Sequence, residues 1–196
     1  MVKLRYCQEI TLNATAGAPA VHVFRANSIY DPDYTTTGHQ PANHDTWATI
    51  YDHYTVVGAK ITARYTPTVT ASNIPAFLGV ALTDSGTETA GSSTEDLLER
   101  KLVNSRYRSV GINENGTGFV TVRHKFSAKR FFGKPNSSII NDGLYRGKLN
   151  SGNPTEGAFF EIFCTSVGGN DPGNMPILVT IDYIVVLNEP KTELAS

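Results

Sequence analysis

The residues that could hold a catalytic metal ion in this 196-residue sequence are concentrated between positions 31 and 53. Imidazole and carboxylate groups are common protein ligands of zinc, iron and manganese. The segment contains Asp31, Asp33, His39, His44, Asp45, Asp52 and His53. No two of these residues are separated by a spacing typical of a metal-binding motif. The His-x-His pair that cupin enzymes require is absent from the sequence. We therefore predict no metal site and no other cofactor.

Signatures of nucleophilic catalysis are also missing from the sequence. It has no Gly-x-Ser-x-Gly motif, no phosphate-binding loop and no Cys–His pairing of a known spacing. Its two cysteines, Cys7 and Cys164, fall on separate strand candidates, and Cys164 alternates with core residues. That pattern favours a buried free thiol over a disulfide. We predict that the protein is not an enzyme and has no catalytic residues.

The elements that would position any site are β-strands. The clearest is 176–188, because every second residue from 177 to 187 is apolar, and a period of two indicates a long strand with one buried face. Seven further segments are strand candidates. In chain order the eight are 3–12, 20–26, 55–66, 76–83, 106–111, 118–127, 157–166 and 176–188. Two short helices are predicted at 45–54 and 94–101.

The connections between these strands alternate in length. Short ones follow the first, third, fifth and seventh strands, and long ones, at 27–54, 84–105 and 128–156, follow the second, fourth and sixth. In an up-and-down arrangement all long connections lie at one end, which makes that end broad. The pattern favours an all-β fold, an eight-stranded antiparallel jelly-roll sandwich with two short helices in its long connections. The whole chain, 1–196, is predicted to form this single domain.

Composition leaves two interpretations of the surface open. Charged residues make up 18% of the chain and its net charge is −1. The net charge therefore does not indicate that the protein binds nucleic acid. Low surface charge fits an exterior covered by partners, and it equally fits a threonine-rich monomer. No apolar run approaches the roughly 20 residues of a membrane-spanning helix, so no membrane insertion is predicted.

Sorting the basic residues by strand face reveals a local surplus of positive charge. In a jelly roll the first, eighth, third and sixth strands form one sheet. The side of this sheet away from the core would carry Lys3, Arg5, Lys60, Arg64, Arg123 and Lys125. Only Glu9 and Asp182 oppose them there, and His124 and Phe126 fall on the core side. Such a patch suits phosphate groups, but basic residues also keep sheets soluble and block their edges.

Aromatic residues are dense at 159–163, and three of them in five positions must occupy both faces of a strand. Either Phe160 or the pair Phe159 and Phe163 must therefore be covered by something beyond the sandwich core. A long connection folding back could provide this cover, and so could a neighbouring subunit.

Three segments carry a family resemblance. Residues 23–34 (VFRANSIYDPDY), 38–41 (GHQP) and 47–61 (WATIYDHYTVVGAKI) resemble the capsid proteins of small circular single-stranded DNA viruses, the circovirus-like CRESS-DNA viruses. The resemblance implies a jelly-roll coat protein that self-assembles into a small icosahedral shell of sixty identical copies around circular single-stranded DNA. Its expected partners are thus copies of itself and the DNA genome, and its expected location is the virion. The sequence does not indicate a host receptor.

The sequence departs from the family pattern at its N-terminus. Such capsid proteins usually begin with an arginine-rich arm that binds the genome and directs the protein to the nucleus, whereas here a strand follows Met1 at once. The expectations are a shortened chain or packaging by the sheet face alone. Presence in the host nucleus during assembly is expected only if the full-length protein carries a basic arm.

The resemblance also implies an orientation in the shell. The sheet that carries the six basic residues would face inward, towards nucleic acid, and the loops at 66–75, 111–116 and 168–175 would gather around a fivefold axis. The broad end would contact other subunits through aromatic anchors. The candidates for this interface are Tyr30, Tyr34, Trp47, Phe131, Phe132 and Tyr145. Each of them could instead be buried under its own loop.

Two other functions remain open from the residues alone. A jelly-roll carbohydrate-binding module would use the aromatic and acidic residues of the loops, and a cupin-like metalloenzyme would use the histidines near residues 39–53.

Overall fold

A computed structural model describes residues 1–15, 18–36, 38–65, 75–87, 89, 92–100, 103–109, 120–166, 171 and 173–192. Of residue 75 and of 103–109 it describes the backbone only. Within these ranges no helix is long and apolar enough to cross a membrane.

Antiparallel strands make up most of the described chain. The strands are β1 Val2–Ala14, β2 Ala20–Arg25, β3 Tyr51–Tyr65, β4 Pro75–Thr83, β5 Val103–Ser109, β6 Val120–Ser127, β7 Gly147–Lys148, β8 Phe159–Ser166 and β9 Gly173–Pro190. The helices are α1 His44–Ile50, α2 Thr94–Glu99, α3 Ala128–Phe131 and α4 Asn136–Asn141, followed by a 3-10 helix at Gly143–Tyr145.

The strands form two sheets, and one of them contains the four strands that were predicted to lie together. One sheet runs β1-β9-β3-β6, with the two-residue β7 paired to β3, and the other runs β2-β8-β4-β5. This is the jelly-roll arrangement, so the predicted fold class and the predicted grouping of the first, eighth, third and sixth strands are confirmed. The short strand β7 was not predicted, because two residues are too few to show a sequence pattern.

The core lies between the two sheets and follows the predicted alternation. In β9, Ile177, Val179, Ile181, Tyr183 and Val185 are at most 2% exposed. Aromatic rings from the opposite sheet, including Phe24 and Phe160, belong to the same buried cluster. Burial of these apolar side chains is the main favourable contribution to folding.

The helix predicted at 45–54 is wrong beyond Ile50. Tyr51 already has an extended backbone, with φ −126° and ψ 152°, and begins β3. The helical prediction rests on the i, i+3, i+4, i+7 spacing of Trp47, Ile50, Tyr51 and Tyr54. These residues do not form one apolar stripe, because Tyr54 is fully buried in a strand while Ile50 is 45% exposed. Backbone pairing of residues 51–54 with β7 and β9 outweighs the helical spacing of the aromatic residues.

The number of helices is also corrected. The helix predicted at 94–101 runs from Thr94 to Glu99, and its cap is Ser93, whose side chain accepts a hydrogen bond from the backbone N–H of Asp96. Two short helices were predicted, but the connection 128–156 contains α3 and α4 as well. Helices of four to six residues are too short to leave a periodic signal in the sequence.

The predicted cover of the aromatic strand is a connection of the same chain. Every residue of β8 is buried, with Phe160 in the core and Phe159 and Phe163 on the other face. On that outer face α2 lies close to the sheet, since the Thr94 hydroxyl is 2.9 Å from that of Thr165. Of the two covers left open, the long connection folding back is the one the structure contains.

A buried carboxylate ties the same connection to β8. Glu161 is completely buried on the outer face and accepts hydrogen bonds from the Thr83 hydroxyl (2.9 Å) and the Thr89 backbone N–H (2.7 Å). Buried polar groups need such partners, so Glu161 fixes the path of the chain after β4.

The long connections meet at one end of the sandwich, as their alternation predicts. The Asn27 amide donates to the Glu156 carbonyl at 2.7 Å, and the Ser28 hydroxyl donates to the Asn153 side chain at 2.6 Å. Of the loops predicted for the other end, 66–74, 111–116 and half of 168–175 lie outside the described residues.

Candidate nucleic-acid interface

All six predicted basic residues lie on the outer face of the β1-β9-β3-β6 sheet, and all six are exposed. Strand alternation explains this placement, because their neighbours in sequence, such as Leu4, Ile61 and Val122, point into the core. We call this surface the basic face. It consists of Lys3, Arg5, Lys60, Arg64, Arg123 and Lys125.

The strand register arranges these side chains in rows across the sheet. Arg5 on β1 lies opposite Asp182 on β9, Asp182 lies opposite Lys60 on β3, and Lys60 lies opposite Lys125 on β6. Since neighbouring strands are about 4.8 Å apart, one row places three cations and one carboxylate within roughly 15 Å. In the next row, Arg123 lies opposite Thr62.

Asp182 is the acidic residue at the centre of the basic face. Arg5 Nε donates to its Oδ1 at 2.7 Å, and Lys3 Nζ lies 3.7 Å from the same oxygen. The hydrogen bond from Arg5 lowers the pKa of Asp182, and the positive charges of Arg5, Lys3 and Lys60 lower it further. The carboxylate is therefore ionised at neutral pH and offsets part of the surrounding charge.

Sequence reasoning missed two apolar members of the same surface. Leu178 and Ile184 are 41% and 44% exposed, and they lie on β9 on either side of Asp182. Their even positions in the alternation of β9 place them on the face that points away from the core. This alternation is the sequence signal by which they could have been predicted. Cys7 is exposed on this face as well, so the predicted buried thiol applies to Cys164 alone, where burial raises the pKa to about 12.

Three of the predicted interface aromatics form one cluster with the core residue Phe126. The rings of Phe131 and Phe132 lie 5.7 and 6.0 Å from that of Phe126, and the ring of Tyr145 lies 4.6 Å from that of Phe132. Phe131 and Phe132 are half-buried, whereas Tyr145 is only 8% exposed. Burial under its own loop is thus what the structure shows for Tyr145.

The other three interface candidates belong to the segment between β2 and β3. Tyr34 is 43% exposed, with the Arg25 guanidinium 4.8 Å from its ring centre. Tyr30 and Trp47 are half-buried and pack against the edge of the core. These three side chains retain surface that a partner could cover.

A cleft of about 970 Å³ opens beside the Phe131 and Phe132 pair, between β6 and the end of β4. His124, predicted on the core side, lines it half-buried, with its ring 6.3 Å from that of Phe160. Arg130 and Glu156 also line it, so the cleft combines aromatic walls with charges of both signs.

Three of the potential metal ligands between residues 31 and 53 have protein partners. Asp31 pairs with Arg25 at 2.9 Å, and His53 with Glu189 at 2.8 Å. Asp33 is buried against His22. Among the described residues no three His, Cys, Asp or Glu side chains come together as a metal site would require.

Comparison with known proteins identifies the fold and nothing finer. No family model and no curated protein matches the sequence. Among solved structures, the BFDV capsid protein in its 60-mer form has a TM-score of 0.52 at 10% identity, over 100% of this chain and 96% of that one. Its decameric form has a TM-score of 0.50 at 12% identity, over 96% and 98%. The chain has the fold of viral capsid proteins.

A structure of turnip yellow mosaic virus is also similar, with a TM-score of 0.47 at 14% identity over 98% of this chain and 94% of that one. The similarities to the BFDV protein span nearly the full length of both chains.

Proposed function

We propose that this chain is a viral capsid protein that self-assembles into a small icosahedral shell of sixty copies enclosing circular single-stranded DNA. The match to the BFDV capsid protein, which comes from a circovirus and is known as a 60-mer, supports the architecture. The resemblance at residues 23–61 supports the virus class. The protein then resides in the virion, and in the host nucleus during assembly where a basic arm is present.

The observation that carries the proposal is the basic face. Six cations share one sheet face with two acids in a chain whose net charge is −1, so positive charge is gathered where phosphates could lie. Lysine and arginine bind phosphates by Coulomb attraction and by releasing condensed counterions. In the proposed shell this face points inward and contacts the DNA backbone.

The second surface in the proposal is the broad end with its long connections. Closed shells require complementary patches on one subunit, and aromatic residues are enriched in such interfaces. Tyr30, Tyr34, Trp47, Phe131 and Phe132 keep exposed area for these contacts. Tyr145 is assigned an indirect role, as a support for Phe132.

Assembly is tested by expressing the full chain and measuring particle mass by light scattering and electron microscopy. The expected particle has a mass of about 1.3 MDa, which is sixty times the 21.3 kDa of one chain. A 21.3 kDa monomer at every salt concentration and pH would refute the proposal. Stoichiometric bound iron, manganese or zinc, or glycan binding by a stable monomer or trimer, would favour the two other functions.

The role of the basic face is tested with two matched double variants. Arg123→Ser with Lys125→Ser removes two charges from the basic face, and Lys129→Ser with Arg130→Ser removes the same two charges from α3, which lies outside it. We expect the first variant to assemble with less nuclease-protected nucleic acid per subunit and a weaker salt dependence. Equal nucleic-acid content in both variants would refute an inward-facing basic face.

A further inference from the structure

The acidic residue in the middle of the basic face has an unusual setting. Asp182 lies on β9, the strand between β1 and β3, and cations flank it on both sides in register. Its side chain is 20% exposed, whereas those of Lys3 and Arg5 are 63% exposed. The carboxylate is therefore largely covered by its neighbours, whereas the cations remain accessible to solvent.

The Asp182 carboxylate is closer to the cations of β1 than to those of β3 and β6. It leans towards β1, where Arg5 and Lys3 lie 2.7 and 3.7 Å from Oδ1. Lys60, opposite it on β3, is close enough to lower its pKa but makes no ion pair within 4 Å in the described part of the chain. The same holds for Lys125, the next residue in the row. Half of the row is thus paired internally and half is available.

A carboxylate and a phosphate use the same partners. Both are planar or tetrahedral anions that accept hydrogen bonds from the N–H groups of guanidinium and ammonium ions. While Arg5 and Lys3 are bound to Asp182, the negative carboxylate offsets their positive charge. Their attraction to an incoming phosphate is therefore weaker. An exposed ion pair of this kind contributes little to folding, which makes a purely structural role a weak explanation for it.

We propose that Lys3, Arg5 and Lys60 form a phosphate-binding site in which Asp182 competes with the nucleic-acid backbone. The inference rests on the proposed function, and it adds a site that limits the affinity of the basic face. Such competition makes the contacts exchangeable, so that a strand can shift along the face while copies of the chain assemble around it.

The test compares two variants that change the net charge equally. Asp182→Asn removes the competing carboxylate and keeps its size. Glu9→Gln removes the other acid of the same face, whose side chain has no ion pair or hydrogen bond among the described residues. Glu9 is four positions from Arg5 along β1, or about 13 Å, so it alters the field of the face without releasing Arg5.

The measurement is the affinity of dissociated full-length subunits for a fluorescently labelled thymidine 15-mer, by anisotropy at several salt concentrations. Each added phosphate contact should steepen the slope of log K against log salt by about 0.7 and raise the affinity about fivefold at 0.1 M salt. We expect Asp182→Asn to gain one or two such contacts. We expect Glu9→Gln to keep the wild-type slope.

Three results would overturn the inference. Equal affinities and slopes for the two variants would show that only net charge matters. Weaker binding by Asp182→Asn would show that Asp182 orients Arg5 for phosphate. No binding by any variant would reject the basic face as a nucleic-acid surface, and with it the site. In the first two cases binding by the wild type would leave the proposed function intact, so the two failures are distinguishable.

Discussion

Replacing Asp33 by asparagine tests whether one buried carboxylate holds the chain after β2 in place. Asp33 is 1% exposed, and its Oδ1 accepts hydrogen bonds from the backbone N–H groups of Thr35 and Thr36, both at 3.0 Å. The same oxygen is 3.0 Å from His22 Nε2. Its Oδ2 accepts hydrogen bonds from Gln8 Nε2 at 2.8 Å and from the Thr36 hydroxyl at 2.6 Å. The carboxylate therefore joins the segment to both β1 and β2.

The size of the effect follows from this hydrogen-bond pattern. Asparagine keeps one oxygen and replaces the other by an NH₂ group, which cannot accept a hydrogen bond. Whichever way the amide turns, its NH₂ group faces at least one donor that Asp33 satisfies, either the backbone N–H groups of Thr35 and Thr36 or the Gln8 amide. The remaining hydrogen bonds lose their charged acceptor. Hydrogen bonds to a charged group contribute about 1.5–3 kcal/mol each. We expect Asp33→Asn to lower the free energy of unfolding by about 3–5 kcal/mol, a large part of the 5–15 kcal/mol of a typical domain.

The pH dependence of stability gives a second measure of the same group. Burial raises the pKa of Asp33, but hydrogen bonds from Thr36 and Gln8 and the charge of His22 outweigh it, so the net pKa is lowered. A carboxyl group with a lowered pKa stabilises the folded state fully above its unfolded pKa of about 3.9. This stabilisation is lost as the pH falls through the folded pKa. Below about pH 4, the free energy of unfolding of Asp33→Asn should therefore decrease less steeply with falling pH than that of the wild type.

The assay is urea unfolding of dissociated subunits, followed by circular dichroism between pH 3 and pH 7. The matched control is Asp45→Asn, because the Asp45 side chain is 93% exposed and the chemical change is identical. The reasoning is refuted if Asp33→Asn and the control differ by less than about 0.5 kcal/mol at pH 7, the range of ordinary surface substitutions. An acid dependence equal to that of the wild type would refute it too.

Two further substitutions probe the outer face of β8, with urea unfolding as the measurement. Glu161→Gln should lower the free energy of unfolding by about 1–3 kcal/mol, since a neutral amide oxygen accepts the buried hydrogen bond of the Thr89 N–H more weakly than a carboxylate does and the Thr83 hydroxyl must turn to accept from the new NH₂ group. The exposed Glu156→Gln is its control, and equal stabilities would contradict the expectation. Gly79→Ala should cost about 1–3 kcal/mol, because its new Cβ would overlap the Phe163 ring. Gly143→Ala has open space around the added Cβ, so a loss as large in this control would argue against overpacking at Gly79.

Strand positions and sheet order follow from the sequence because strand alternation is a local signal. The buried residues of β9 alternate with Leu178, Thr180 and Asp182 in the printed sequence just as they do in the sheet. The same alternation on the other three strands placed all six cations of the basic face correctly. The face on which a residue lies depends only on whether its position in the strand is odd or even. The predicted face is therefore correct even when the strand ends are wrong by one or two residues, provided that the strand interior is identified correctly.

Features that depend on contacts between distant segments could not be predicted in this way. The spacing of Trp47, Ile50, Tyr51 and Tyr54 fits a helix, and only the pairing of residues 51–54 with β9 makes their second half a strand. Likewise, the Arg5–Asp182 pair joins residues 177 positions apart, so its existence depended on knowing which strands are neighbours. The cover of Phe159 and Phe163 was left open because no local pattern identifies the segment that folds over a sheet.

The position of β9 in its sheet has a consequence for the timing of events during protein synthesis. β9 separates β1 from β3, yet it leaves the ribosome after both of them and after β6. Until then β1 and β3 lack the neighbour that satisfies their backbone groups, and contacts over such long sequence separations form slowly. A growing polypeptide therefore cannot form the complete basic face before β9 has been synthesised. In the proposed function, capture of nucleic acid by the basic face would follow translation past Pro190.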